Sequence, residues 1–420
     1  MDSTSKIKSL IENEMIENKI KLAQERKYFY PLAEPTYGVD EVLEAIDSMV
    51  NFKTSMWEKV RMFEDEFGSK YGGHAVMVNS GSSADLLIAF ALLQKSGGSL
   101  SPGDEILVPA VTWPTHLWSL VMAGFKVRLI DIDLTTLNFD LVNLESQITP
   151  LTKGIFIVHL LGNTGNLGGL IKLCKDRNLI LLEDCCEALG TKYENRFVGT
   201  FGLASSFSFF FSHHLVTMEG GMILTQSEEF ARRCRLLRAH GWTRNIYNSS
   251  SSNEVSIQDK YRFINWGFNV RPTELQAGFG IEQLKKIENF HQARKFNAEY
   301  LAERIKKYHR YILTVTPREE TQPSYFAFPI VLQNGADFVL KELTDFLEEN
   351  GVETRPVVAG NLARQPAMSN FPEISYDDLS NSDYVHNNGF YIGIHPEIDE
   401  AKIAKVANVI DRFFVIRGGK

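Results

Sequence analysis

The sequence predicts an α/β protein: a large domain built on a mainly parallel sheet, followed by a smaller C-terminal α/β domain. Two observations carry that expectation. Strand-like runs at His74 to Asn79, Glu105 to Ala110, Lys126 to Asp131, Gly154 to His159 and Leu179 to Glu183 alternate with helical stretches such as Leu86 to Leu93 and Asn166 to Arg177. Strands spaced in this way pair in parallel, are covered by helices on both faces and collect ligands at their C-terminal ends. The second observation is what stands at those ends: a Gly/Ser turn after Asn79, Trp113 after Ala110, and Asp184 after Glu183.

A chain of 420 residues, 44% hydrophobic and 23% charged, has the composition of an ordinary globular protein and is long enough for two domains. Its formal net charge of −8 argues against a nucleic-acid partner, which would call for cationic surface. No apolar run is long enough to cross a bilayer, and the first residues are polar with mixed charge, so a cytoplasmic protein without a membrane partner is expected. Four cysteines, Cys174, Cys185, Cys186 and Cys234, are too few for a disulfide framework and are expected to be reduced.

Residues 7 to 27 read as an amphipathic helix that packs on a neighbour, and Val39 to Val50 as a second one. The turn Ser80-Gly81-Ser82-Ser83 opens a helix, so its amides, hydroxyls and helix dipole can hold an anion such as a phosphate. Serine N-capping alone explains the same residues. Trp113, at a strand end, is placed to lie on a planar aromatic ligand, although core packing is the commoner use of a tryptophan. Asp184 can accept a ring N–H or cap the next helix. The run Ser205 to Met222 reads as a strand, an exposed turn carrying His213 and His214, and a second strand. Tyr247 to Lys260 reads as a polar loop. A helix is expected from Pro272, with Arg271 beside it able to grip a carboxylate or phosphate, or to form a surface ion pair. Helices from Ile281 to Tyr308 then lead to strands near Phe326 to Val331 and Phe390 to Gly393, the basis for a second domain.

The spacing Ser208-Phe209, then His213, then Glu219-Gly220-Gly221 resembles the active-site segment of the sugar-nucleotide aminotransferases, pyridoxal phosphate (PLP) enzymes of the aspartate aminotransferase-like fold type I. The basic position of that segment is the lysine that binds PLP covalently. Here it is His213, an exchange that resembles the PLP-dependent sugar-nucleotide 3-dehydratase branch. The resemblance implies an N-terminal helical segment (1–50), a large PLP-binding domain (51–285) and a small domain (286–420). It implies that Gly81, Ser82 and Ser208 hold the cofactor, with Trp113 stacked on its ring, Asp184 on the pyridine nitrogen and Glu187 nearby. Asn269, in Gly267-Phe268-Asn269-Val270-Arg271, would reach the phosphate in the partner subunit, which makes the enzyme a homodimer with shared sites. Arg271, Arg355 and Arg364 would meet the substrate.

The implied reaction removes the C3 hydroxyl of a nucleotide-linked 4-keto-6-deoxyhexose, releasing a 4-keto-3,6-dideoxysugar and ammonia. His213 is the implied general base, and L-glutamate regenerates pyridoxamine phosphate (PMP). The nucleotide (GDP, CDP or dTDP) stays open. No metal is called for, and the cysteine spacing does not match an iron–sulfur cluster. A sugar 4-aminotransferase that tolerates histidine, and a catalytically silent binding protein on the same fold, are the alternatives.

Overall fold

The computed structural model describes residues 3–245, 257 and 261–417. Most of the expected polar loop Tyr247 to Lys260 therefore lies outside the described residues. The alternating run forms one eight-stranded sheet in the order His74–Val78, Gly221–Thr225, Ala204–Ser208, Ile180–Asp184, Thr152–Val158, Glu105–Pro109, Lys126–Ile130, Ile374–Tyr376. Every pairing is parallel except those of Gly221–Thr225, which is antiparallel to both neighbours.

The sheet is buried on both faces because its strands are apolar at successive positions rather than at alternate ones. Met77, Leu107, Leu181 and Phe207 enter the core on one face, with Phe63 and Phe67. Val76, Val78, Ile106, Val108 and Leu182 enter the core on the other face, with Leu87, Ile88 and Leu117. A second sheet, antiparallel throughout, runs Ile312–Thr314, Ala327–Leu332, Gly389–Gly393, Arg355–Pro356. Its core includes Phe328, Ile330, Phe390 and Ile392, with Phe413 and Phe414 from the last helix. Strand Ile374–Tyr376 belongs in sequence to the C-terminal third, yet it extends the large sheet beside Lys126–Ile130.

Several boundaries differ from the sequence reading for local reasons. The helix after the Gly/Ser turn begins at Gly81, five residues before the apolar run, because the Ser80 side chain accepts from the Ser83 amide. The long helix Glu274–Ile305 begins after Pro272, where Thr273 and Gln276 form a capping box. Helix Ser3–Glu25 forms, but Ile7, Leu10, Ile16, Ile20 and Leu22 remain exposed. Contacts with helix Val39–Val50 and the ion pairs Lys8–Asp40 and Lys19–Glu397 connect it to the rest of the chain. The turn between Ser208 and Gly221 is not an exposed hairpin: it folds inward, burying His214, Leu215, Val216 and Thr217. Among the described residues no helix is long and apolar enough to cross a membrane.

At the centre of the sheet Glu183 is fully buried. It accepts from the amides of Gly199 (2.8 Å), Phe201 (2.8 Å) and Gly202 (2.7 Å), and meets His159 Nε2 at 3.0 Å. Burial opposes its charge, but His159 and these amides outweigh burial and hold its carboxyl below the usual range. Glu183→Ala strands the three amides and is expected to cost about 3 kcal/mol or more, read as a lower urea midpoint. An unchanged midpoint would show that the 199–202 loop does not depend on this carboxylate.

Candidate active site

The register of the large sheet brings the candidate residues together. Val78 and Ser208 both pair with Gly221, so the turn after Val78 lies beside the end of Ala204–Ser208. The backbones approach so closely that a Cβ on Gly81 would stand 2.6 Å from Ser208 Cβ, and one on Gly221 would stand 2.3 Å from the Ser80 carbonyl oxygen. Only glycine fits at either position. The start of helix Gly81–Ala91 thus faces Ser208, with Ser82 exposed at its mouth. The Asn79 amide donates to Val270 O (3.2 Å), which anchors the segment bearing Asn269 and Arg271 beside the same turn. Asn269 itself is exposed.

Asp184 ends the neighbouring parallel strand. Its Oδ1 accepts from the Cys186 amide at 2.9 Å, and its Oδ2 lies 3.3 Å from His116 Nδ1. Burial alone would raise its pKa, yet His116 and the Cys186 amide prevail and hold it low, so Asp184 is an anion. Beneath it Asp85, fully buried and accepting from Thr115 Oγ1 at 2.9 Å, is pushed up to about 7 by burial and by Asp184. Asp85 and His116 belong to no motif in the sequence. The available signals were position: Asp85 lies one helical turn after Gly81, on the inward face, and His116 lies three residues after Trp113.

Trp113 is 56% exposed at its strand end, as a residue waiting to cover a flat ligand would be. Glu187 accepts from the Leu161 amide at 2.9 Å and is pushed up to about 7, chiefly by burial. His213 is half-buried at the opening of the inward-folded turn; its amide donates to Phe210 O (2.9 Å) and its Nδ1 has no partner. Burial, partly opposed by Asp184, pushes it down to about 4, so at neutral pH it is an uncharged imidazole able to accept a proton.

The arginines diverge. Arg355 pairs with Glu353 (2.9 Å), and Arg364 forms a two-pronged pair with Asp383 (2.7 and 2.6 Å). Arg271 is half-buried and has no ion pair among the described residues.

The donor set fits PLP part by part. The helix start with Ser82 and Ser208 suits the phosphate, Trp113 the ring face, and the anionic Asp184 the ring N–H. Two buried groupings, His159 with Glu183 and Cys185, and Asp85 with His116 and Asp184, also have the residue types of metal ligands within reach of one another. Protein donors already occupy most of the oxygens in both. All four cysteines are free, Cys186 half-buried and the others buried.

The chain is 39% identical over 373 residues to a GDP-4-keto-6-deoxy-D-mannose 3-dehydratase of Escherichia coli O55:H7, covering 87% of this chain and 95% of that one. A solved E. coli GDP-4-keto-6-deoxy-D-mannose 3-dehydratase with bound hydrated PLP superposes with a TM-score of 0.86 at 36% identity, covering 91% and 99%. A GDP-4-keto-6-deoxymannose 3-dehydratase holding a trapped PLP–glutamate geminal diamine gives the same score and identity over 91% and 100%. Residues 37–411 match the model of the DegT/DnrJ/EryC1/StrS aminotransferase family, and the chain belongs to that family.

Proposed function

We propose that this protein is a PLP/PMP-dependent 3-dehydratase of a nucleotide-linked 4-keto-6-deoxyhexose, with a GDP-linked sugar as substrate and L-glutamate as amino donor. The observation that carries the reading is His213 at the basic position of the segment, uncharged and facing a site otherwise built for PLP. The relatives acting on GDP-4-keto-6-deoxymannose, and the glutamate adduct of one of them, support the choice of sugar and donor.

When bound, the cofactor supplies an amine for the C4 ketone and an electron sink that weakens the bond to the C3 hydroxyl. The protein does the rest. Gly81, Ser82 and Ser208 hold the phosphate, and Trp113 shields the ring. Asp184, kept anionic by His116 and the Cys186 amide, keeps the pyridine nitrogen protonated. His213 takes the C4′ proton as general base and has no amine with which to form a covalent link to the cofactor. Glu187, a neutral acid at the lower end of the physiological range, stands ready to give a proton to a departing oxygen. Arg271, which has no ion pair among the described residues, offers a cation for the substrate, whereas Arg355 and Arg364 would first have to leave Glu353 and Asp383. Residues 51–285 act as the cofactor domain, with 1–50 and 286–420 forming the second body. Asn269, exposed at the site's edge, acts on the cofactor phosphate of a partner subunit in a homodimer.

Incubated with GDP-4-keto-6-deoxymannose, L-glutamate and PLP, the protein is expected to release ammonia and a nucleotide sugar lighter by one oxygen atom, as read by mass spectrometry. An aminosugar would identify a 4-aminotransferase, and no turnover a silent binding protein.

His213→Lys restores a covalent anchor and removes the positioned imidazole. It is expected to retain PLP through borohydride reduction, which the natural chain should not, and to lose ammonia release by about 10²-fold or more. Unchanged ammonia release would remove His213 from the base role and point to His214.

Asn269→Ala is expected to weaken PLP binding in equilibrium dialysis by about tenfold, in line with the loss of a hydrogen bond to a charged group. Sedimentation that finds a fully active monomer would overturn the shared-site assignment.

A further inference from the structure

Arg294, on the long helix Glu274–Ile305, is 2% exposed. Its Nη1 donates to Phe326 O at 2.8 Å and to Tyr325 O at 3.4 Å, while its Nε has no partner. No carboxylate pairs with it among the described residues. Burial pushes its pKa down to about 9, which leaves it a cation at neutral pH. A buried guanidinium without an anion is costly, and an apolar residue could fill the same space at less cost.

The segment it holds is fixed at several further points. The Ser324 amide donates to Thr191 Oγ1 (3.0 Å), Ser324 O accepts from His214 Nε2 (3.3 Å), and the Phe326 amide donates to Leu161 O (3.1 Å). Tyr325 is held at a φ of +51°, a left-handed conformation that a bulky residue adopts only when its surroundings impose it. The product of these restraints is the placement of the Phe326 ring, 5.2 Å from the ring of His213 and 5.9 Å from that of His214.

We propose that Arg294 and Phe326 are positioning residues for His213: the guanidinium clamps the 324–326 segment, and Phe326 fixes the imidazole plane. The inference rests on the reading of His213 as the general base.

The charges around the cluster agree with this. His213 faces Asp184, which favours its protonation, and Arg294, which opposes it; burial is the larger influence. His214 is lowered by burial, then by Arg294, His291 and His213. His291 is pushed down to about 4 by burial, with Arg294 and Lys70 adding and Glu288 opposing. Arg294 is the fixed charge common to all three.

The test uses the full-length apoprotein with carbon-13-labelled histidine, the His213 resonance being assigned with His213→Asn. In Phe326→Leu the resonance is expected to lose the ring-current contribution of Phe326 and keep that of Phe210, whose ring lies 6.3 Å away. Turnover of this variant with the nucleotide sugar should fall about tenfold at a KM within about twofold, as loss of alignment rather than of binding requires. Arg294→Met is expected to raise the His213 midpoint by about one pH unit, because an opposing like charge is removed, whereas Arg294→Lys keeps it near its natural value. Unchanged His213 resonance and midpoint in both Phe326→Leu and Arg294→Met would overturn the clamp. If the resonance moves and turnover does not, the positioning role is overturned. Activity retained by His213→Asn would then place the fault in the base assignment, and activity lost would place it in the clamp alone.

Discussion

Two carboxylates in succession at the end of the central strand, Glu183 and Asp184, are the constraint on which the rest depends. A strand sends neighbouring side chains to opposite faces, so each must be ionised in the core with its own donors. Glu183 takes the amides of the 199–202 loop together with His159, which fixes where strand Ala204–Ser208 begins. Asp184 takes the Cys186 amide and His116, which fixes an anion at the mouth of the sheet. With that strand placed, Ser208 meets Gly81 across Gly221, and the Gly81 turn, Asp184 and the histidine turn become neighbours.

Around this anion the protein separates its titratable groups by environment. Asp184 is held low by specific donors, while Asp85 and Glu187, buried with fewer donors, are each pushed up to about 7. His213 is driven the other way, to about 4, because burial penalises the charged form of a base. One anion, two carboxyls near neutrality and one uncharged imidazole can accept, hold and return protons.

Much of this was legible in the sequence. The strand and helix alternation located five strands of the large sheet to within a residue or two, because strands buried on both faces read as continuous apolar runs. The strand-end residues Trp113 and Asp184, and the Gly81 turn, follow from the same pattern. What failed depended on contacts distant in sequence. The Ser208 to Gly221 turn looked exposed because it is polar, yet Thr217 and His214 are buried by bonding to Glu219 O and Ser324 O. Helix Ser3–Glu25 carries apolar residues at helical spacing, yet Ile7, Leu10, Ile16, Ile20 and Leu22 stay exposed among the described residues. Asp85, His116 and Arg294 carried no motif, since a buried polar residue is recognised by its partners and a sequence does not display partners.

The exchange of lysine for histidine also explains why so many restraints converge on one turn. A lysine bound covalently to the cofactor is aimed by that bond, and its four-carbon stem lets the amine follow the proton between two atoms. An imidazole has neither tether nor reach: its nitrogens stand a fixed distance from the backbone, and its alignment comes from what packs against it. The burial of His214, bonded to Ser324 O, and the ring of Phe326, 5.2 Å from that of His213, surround the imidazole with contacts from the protein itself. The same crowding disfavours the protonated form of His213 and pushes it down to about 4.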